Sequence, residues 1–192
     1  MSPVESSPKT DARIERSRRA ILEAARVQLL YNPDASLSDI AQRAGVGRAT
    51  LYRLYETREA LLVAVGVDCF EAFDRATSHI ESSALSIRHA FQLLFEAILP
   101  LQEEYQFLNR FGDTEDYPAE LRTIYLRQQR EMVELIEEAK RAGKIKKQHP
   151  NEWLTLLVDA QLYAAQSLIN REAMTVKQAA ETTCKVLFDG IK

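Results

Sequence analysis

The sequence predicts an all-α fold, and three observations predict it. Apolar residues recur three and four positions apart along most of the chain, whereas no stretch alternates at period two. Helix-starting pairs stand ahead of apolar runs, Ser36 with Asp39 and Thr175 with Gln178. Neither an internal repeat nor a glycine-rich phosphate loop interrupts the pattern.

In chain order, residues 1–12 hold Pro and Ser and read as a flexible arm. The first helix follows, with Arg13, Arg16, Arg18 and Arg19 at its start and Ile14, Ile21, Ala25, Leu29 and Leu30 as its buried stripe. Tyr31-Asn32-Pro33-Asp34-Ala35 links it to a short helix capped by Ser36, whose Leu37, Ile40, Ala41 and Ala44 share one face. Gly45 follows the last apolar position, where a positive φ costs least without a Cβ. Val46 returns to the core, and Leu51 and Tyr55, four apart, form the inner side of a second short helix.

Thr57 caps a longer helix running to about Ser82 and packed by Leu61, Leu62, Val65, Phe70 and Phe73. Ser86 caps the next, which holds Ala90, Phe91, Leu94, Phe95, Ile98 and Leu99; Pro100, lacking an N–H, kinks or ends it. Tyr105, Phe107, Leu108 and Phe111 mark a short helical piece before a loop at 112–118. Ala119 to Arg141 is a helix with Leu121, Tyr125, Met132, Leu135 and Ile136 inward, and Glu137 pairs with Lys140 or Arg141 on its solvated side. After a Lys-rich loop at 143–150, the helix from Trp153 to Ile169 is apolar around nearly its whole circumference, which implies cover on more than one side. Thr175 opens the last helix, whose stripe is Val176, Ala179, Ala180, Thr183, Leu187 and Ile191.

Two short helices joined by a glycine turn, with the small Ala41 where they cross, have the layout of a helix-turn-helix over 36–55. The outer face of its second helix presents Arg48, Ala49, Thr50, Tyr52 and Arg53. An arginine can fork onto guanine O6 and N7, and the methyl groups of Ala and Thr can meet that of thymine. Tyr52 and Arg53 suit phosphate oxygens, which fix register without reading sequence. Arg58 is a cation in the first turn of its helix, where it opposes the dipole unless a phosphate shares the site. Ser38 and Arg18 complete the candidate DNA contacts.

These residues resemble the TetR family of transcriptional regulators. Ile40-Ala41, Ala44-Gly45-Val46, Thr50-Leu51-Tyr52, Tyr55, Arg58-Glu59 and Leu61 follow the family pattern, and Arg18, Ile21-Leu22, Ala24-Ala25 and Leu29-Leu30 are similar to its first helix. The departures are Tyr55 where Phe is usual, Leu54 where a His or Tyr commonly touches phosphate, the short link at 31–35, and Arg58 for Lys.

The resemblance implies a three-helix DNA-binding domain at 13–66 and a regulatory and dimerisation domain at 67–192. It also implies a repressor that leaves a pseudo-palindromic operator when a small ligand binds. The family's four-helix dimer bundle would place Leu157, Ala160, Tyr163, Ala164, Leu168, Thr183 and Leu187 at the subunit contact. Its inducer cavity would be lined by Phe70, Phe73, Phe91, Phe95, Phe107, Phe111, Tyr125, Gln128, Met132 and Trp153, which suits a small apolar or aromatic molecule. Tyr105, Asn109, Arg110, Gln128 and Gln129 are candidates for orienting it.

Composition agrees with a globular regulator. Hydrophobic residues make up 46% and charged residues 28%, so the chain can bury a core. Net charge is −3, but residues 1–66 hold 10 Lys/Arg against 8 Asp/Glu and the remainder 15 against 20, so the helix-turn-helix lies in the basic portion. Cys69 and Cys184 stand far apart, as expected of reduced thiols, and His79, His89 and His149 share no ligand spacing, so neither metal nor cofactor is expected. The polar N-terminus carries no signal-peptide pattern, and the helix at 153–169 contains Asp159, Gln161 and Gln166, too short and polar for a bilayer; a cytoplasmic protein is expected. Glu103-Glu104 and Glu137-Glu138 are adjacent and diverge on a helix, and no nucleophile stands with a base, which argues against an enzyme.

Overall fold

The structure is a computed structural model that describes residues 8–80, 86–111 and 117–191. Among these it consists of helices α1 (Pro8–Tyr31), α2 (Leu37–Arg43), α3 (Arg48–Leu54), α4 (Arg58–Thr77), α5 (Ile87–Ile98), α6 (Gln102–Leu108), α7 (Ala119–Arg141), α8 (Asn151–Asn170) and α9 (Val176–Asp189), with a 3-10 turn at Asn109–Phe111 and no strand. The first helix begins earlier than the composition of the arm suggests. Pro8 stands at its first position, where a missing N–H leaves no bond unmade. The other part of the expected arm, residues 1–7, lies outside the described residues.

The chain divides into two compact units. One runs to Cys69 and takes in Glu103–Leu121; the other comprises Phe70–Gln102 and the chain from Arg122 onward. This differs from the simple cut expected after residue 66, because α6 and the turn after it fold with the N-terminal unit. Arg26 on α1 explains part of the attachment: its guanidinium stands 3.0 Å from Glu104, 3.5 Å from Glu103 and 3.7 Å from Asp68 on α4. Arg110 donates to the carbonyl of Leu29 near the end of α1, and the Tyr117 hydroxyl donates to the Leu108 carbonyl at 3.0 Å. Phe107 and Leu121 are fully buried in this unit, beside Ile21, Leu29, Ile40, Leu51 and Leu61. Gly66 of α4 lies so close to Leu121 that a Cβ would come within 2.6 Å of a methyl of that leucine, so α4 and the start of α7 touch nearly backbone to side chain.

The second unit is held by one apolar cluster, in which Phe91, Phe95, Ile136, Leu154, Val158, Leu162, Ala179 and Ala180 are buried and Phe73, Met132 and Leu187 pack from the side. Each large side chain so buried contributes roughly 1.5–3 kcal/mol. Polar clasps orient the helices around it. Arg88 grips Asp189 with two hydrogen bonds of 2.9 and 2.7 Å, which ties the start of α5 to the end of α9. The same guanidinium lies over the Phe188 ring, whose edge meets Phe91 with centroids 5.3 Å apart. Gln128 donates to the Phe70 carbonyl at 3.1 Å and to Asp74 at 2.8 Å, fixing α7 against α4.

Lys140 corrects a sequence expectation. Its pair with Glu137 forms at 3.2 Å, but Lys140 is only 6% exposed and donates also to the Asn151 side chain at the start of α8. It is an interior tie rather than a solvated surface pair.

Candidate nucleic-acid interface

The helix-turn-helix is built almost entirely by local chemistry. Ser36 accepts from the Asp39 N–H at 3.2 Å and the Asp39 carboxylate accepts from the Ser36 N–H at 2.9 Å, a reciprocal capping box at the head of α2. The Ser36 hydroxyl, then the Ser36 N–H, hold the Asp39 carboxyl below the usual range, with help from the charge of Arg48. At the other end Gly45 takes φ +66°, so that its N–H reaches the Gln42 carbonyl at 3.1 Å and the Val46 N–H reaches Ala41 at 3.0 Å. These two bonds satisfy carbonyls that α2 leaves open and turn the chain toward α3. Ile40, Ala41, Leu51 and Tyr55 are buried between the helices.

That packing leaves the outer side of α3 free. Arg48, Ala49, Tyr52 and Arg53 are exposed and Thr50 is half-buried. Tyr52 shows 48% of its surface, so about half of this large side chain stays uncovered. Ser38 is half-buried on α2, and Arg18 is exposed on α1. The structure therefore gathers these seven predicted residues on the α1–α3 unit.

Arg58 behaves differently from expectation. Its guanidinium donates to the carbonyl of Pro33, in the link between α1 and α2. Thr57 caps α4 as expected, accepting from the Ala60 N–H at 3.0 Å. A backbone carbonyl thus engages one donor of this cation, which keeps its charge and its other N–H groups. Only a tertiary contact reveals this, since Pro33 and Arg58 share no local spacing. Tyr55, usual as Phe in the resembled family, carries a hydroxyl that is buried without a hydrogen-bond partner. Burial pushes its pKa up, while the Arg18 charge opposes that shift.

The residues expected around a ligand are divided by the structure. Phe91, Phe95, Phe73 and Met132 belong to the cluster of the second unit, and Phe70 and Gln128 meet there through a hydrogen bond. Phe107 instead lies in the first unit, and so does Arg110, which is committed to Leu29. Tyr125 is half-buried; the Phe111 side chain lies outside the described set. Trp153 is 61% exposed and lines no interior. It heads a stripe on the outer side of α8, with Leu156 60% and Tyr163 69% exposed, continued by Ala160, Ala164 and Leu168. Of the residues expected at a subunit contact, Ala160, Tyr163, Ala164 and Leu168 lie on this stripe. Leu157 is half-buried at its margin. Thr183 is buried and Leu187 packs on the cluster, so these two turn inward.

Among the described residues, no group of three or more His, Cys, Asp or Glu is arranged to hold a metal, and no helix is long and apolar enough to cross a membrane. Both cysteines are free and buried.

A capped pair of short helices at a left-handed glycine turn, with an exposed Arg/Thr/Tyr face on the second, has the layout of a helix-turn-helix. Residues 21–65 match the family described as bacterial regulatory proteins, tetR family. The transcriptional repressor LfrR of Mycolicibacterium smegmatis is 38% identical over 87 residues, 45% of this chain and 46% of that repressor, so the match spans about half the length of this relative. The structure of LfrR in complex with proflavine superposes with a TM-score of 0.71 at 27% identity, covering 93% of this chain and 97% of that one. A TetR family transcription regulator from Marinobacter aquaeolei shares the fold, with a TM-score of 0.72 at 20% identity over 91% of this chain and 97% of its own. Residues 21–65 are thus similar to the helix-turn-helix domain of tetR-family regulators, and the fold as a whole is similar to theirs.

Proposed function

We propose that this protein is a sequence-specific transcriptional regulator, a repressor that binds a pseudo-palindromic operator as a homodimer. The observation that carries this reading is the exposed face of α3, with Arg48, Tyr52 and Arg53 in solvent on a helix that the α2 caps hold rigidly in place. Arg48 reads a base, and Tyr52 and Arg53 set the register on phosphates. The protein acts in the cytoplasm by binding, not by turnover.

The second copy attaches through the α8 stripe. Trp153, Leu156 and Tyr163 are large, apolar and aligned, and aromatic residues of this kind dominate the energetics of subunit contacts. A symmetric dimer carries two α3 helices, one for each of two half-sites about one DNA turn apart. The effector is a small apolar or aromatic molecule received by the second unit; the complex of LfrR with proflavine supports that class. Such a ligand releases DNA only to the extent that it prefers the form with lower operator affinity.

Selection of binders from random duplex DNA tests the reading. An enriched pseudo-palindrome is expected. Failure to enrich any sequence, with and without a panel of planar aromatic compounds, would overturn it.

A further inference from the structure

The middle of α8 holds a side chain that the fold leaves unsatisfied. Among the described residues, the buried side-chain atoms without a hydrogen-bond partner are the Tyr55 hydroxyl in the first unit and, in the second, both polar atoms of the Gln161 amide. The amide nitrogen can donate twice and the amide oxygen can accept twice. Sealing such a group from water without replacement bonds opposes folding.

Three observations say what would satisfy it. The first is the treatment of neighbouring polar groups. Gln128 donates to the Phe70 carbonyl and to Asp74, Lys140 reaches Glu137 and Asn151, and Thr155 donates to the Asn151 carbonyl at 3.0 Å. The second is position. Helical spacing sets Gln161 beside Val158 and Ala165, both members of the buried apolar cluster, and these side chains offer neither donor nor acceptor. The border of that cluster is only partly buried, at Phe73, Leu94, Met132 and Leu135, so the core is not closed on every side. The third is that the amide atoms are already sealed within one chain. A second copy seated on the outer stripe of α8 therefore does not reach them.

We infer that Gln161 is the polar anchor of the small-molecule site in the second unit, and that its ligand presents a hydrogen-bond donor and an acceptor side by side on one edge. A lactam, a carboxamide or an amino group next to a ring nitrogen has that edge, whereas a hydrocarbon has none. The apolar surroundings hold the body of the molecule, and the amide selects among molecules of similar size, because an analogue without the edge leaves it unpaired. This inference rests on the ligand-responsive function proposed above and narrows the class of effector.

The test uses the full chain and two probes of similar shape. 2-Quinolinone carries an N–H and a C=O side by side, and its N-methyl derivative has lost the donor. Calorimetry measures the affinity of each for wild type and for Gln161→Met, which keeps the length of the side chain and removes both polar atoms. Wild type is expected to prefer 2-quinolinone by at least about tenfold, the combined worth of two neutral hydrogen bonds. Gln161→Met is expected to lose that preference. Equal affinities for wild type, or binding of neither probe, overturn the inference. A preference that persists in Gln161→Met is one of size and overturns it too. Circular dichroism identifies a misfolded variant, and Gln161→Leu then takes its place. Selection from random duplex DNA with the same preparation separates the two readings. An enriched operator together with no preference between the probes overturns this inference alone. A preference between the probes without any enriched operator overturns the regulator and supports the anchor.

Discussion

Arg58, at the start of α4, donates its guanidinium hydrogen to the carbonyl oxygen of Pro33, in the link that follows α1. A residue whose place in the sequence suggests phosphate binding instead closes the loop between the first two helices. The two roles are separable. Arg58→Ala should lower stability by about 1 kcal/mol, the usual net worth of a surface-accessible hydrogen bond from a charged donor. The salt slope of DNA binding should not change. Chemical denaturation and a salt titration read the two effects; a slope smaller by about one, with stability intact, would return Arg58 to the phosphate backbone.

Asp159 sets a pH dependence. Burial on α8 raises its carboxyl to about 6, well above the ordinary aspartate range. A raised acid pKa means that the folded chain binds more protons than the unfolded chain between roughly pH 4 and 6. Ionised Asp159 therefore opposes folding above about pH 6, and the penalty fades as pH falls through that value. Asp159→Asn should raise stability at pH 7 by about 1–3 kcal/mol, with the gain vanishing near pH 4. Urea unfolding at both pH values measures it; equal effects at the two would refute the assignment.

The α8 stripe predicts a change of mass. Tyr163→Asp places a charge among Trp153, Leu156 and Ala160 and should cost at least about 2 kcal/mol of association, enough to shift the protein toward monomer. Light scattering across a dilution series detects the shift. An unchanged mass would move the subunit contact elsewhere.

Glu172 holds φ +56° where α8 ends, with its N–H on the Ile169 carbonyl and the next N–H, of Ala173, on Leu168. The same pair of bonds closes α2 at Gly45 and α7 at Gly143, but with glycine. A side chain in this conformation costs about 1–2 kcal/mol, part of which glycine returns as unfolded-state entropy. Glu172→Gly should raise the melting temperature by an amount equivalent to about 0.5–1 kcal/mol, and Glu172→Val should lower it.

How legible the molecule is in its sequence depends on the range of the interaction. Ser36 with Asp39, Thr175 with Gln178, Thr57, Ser86 and Gly45 act within a few residues, and the structure places each where the pattern predicts. Helix α7 matches its expected limits, Ala119–Arg141, because a loop signal stands at either end. The start of α1 escapes the pattern, since Pro and Ser suit both an arm and a first helical turn. Trp153 falls on the opposite side from the one expected because a helix apolar all round gives no phase. Arg58, Lys140 and Phe107 depend on partners far along the chain or on burial, and periodicity carries no information about either.

The attachment of residues 103–121 to the N-terminal unit has a consequence for synthesis. Arg26 and the buried face around Leu61 and Val65 leave the ribosome early, but Glu104, Phe107 and Leu121 follow some tens of residues later. At about 5–20 residues per second, the reading unit waits several seconds for its last pieces. During that interval the nascent chain shows an incomplete N-terminal unit, and a chaperone that shields α1 and α4 would have its opportunity then.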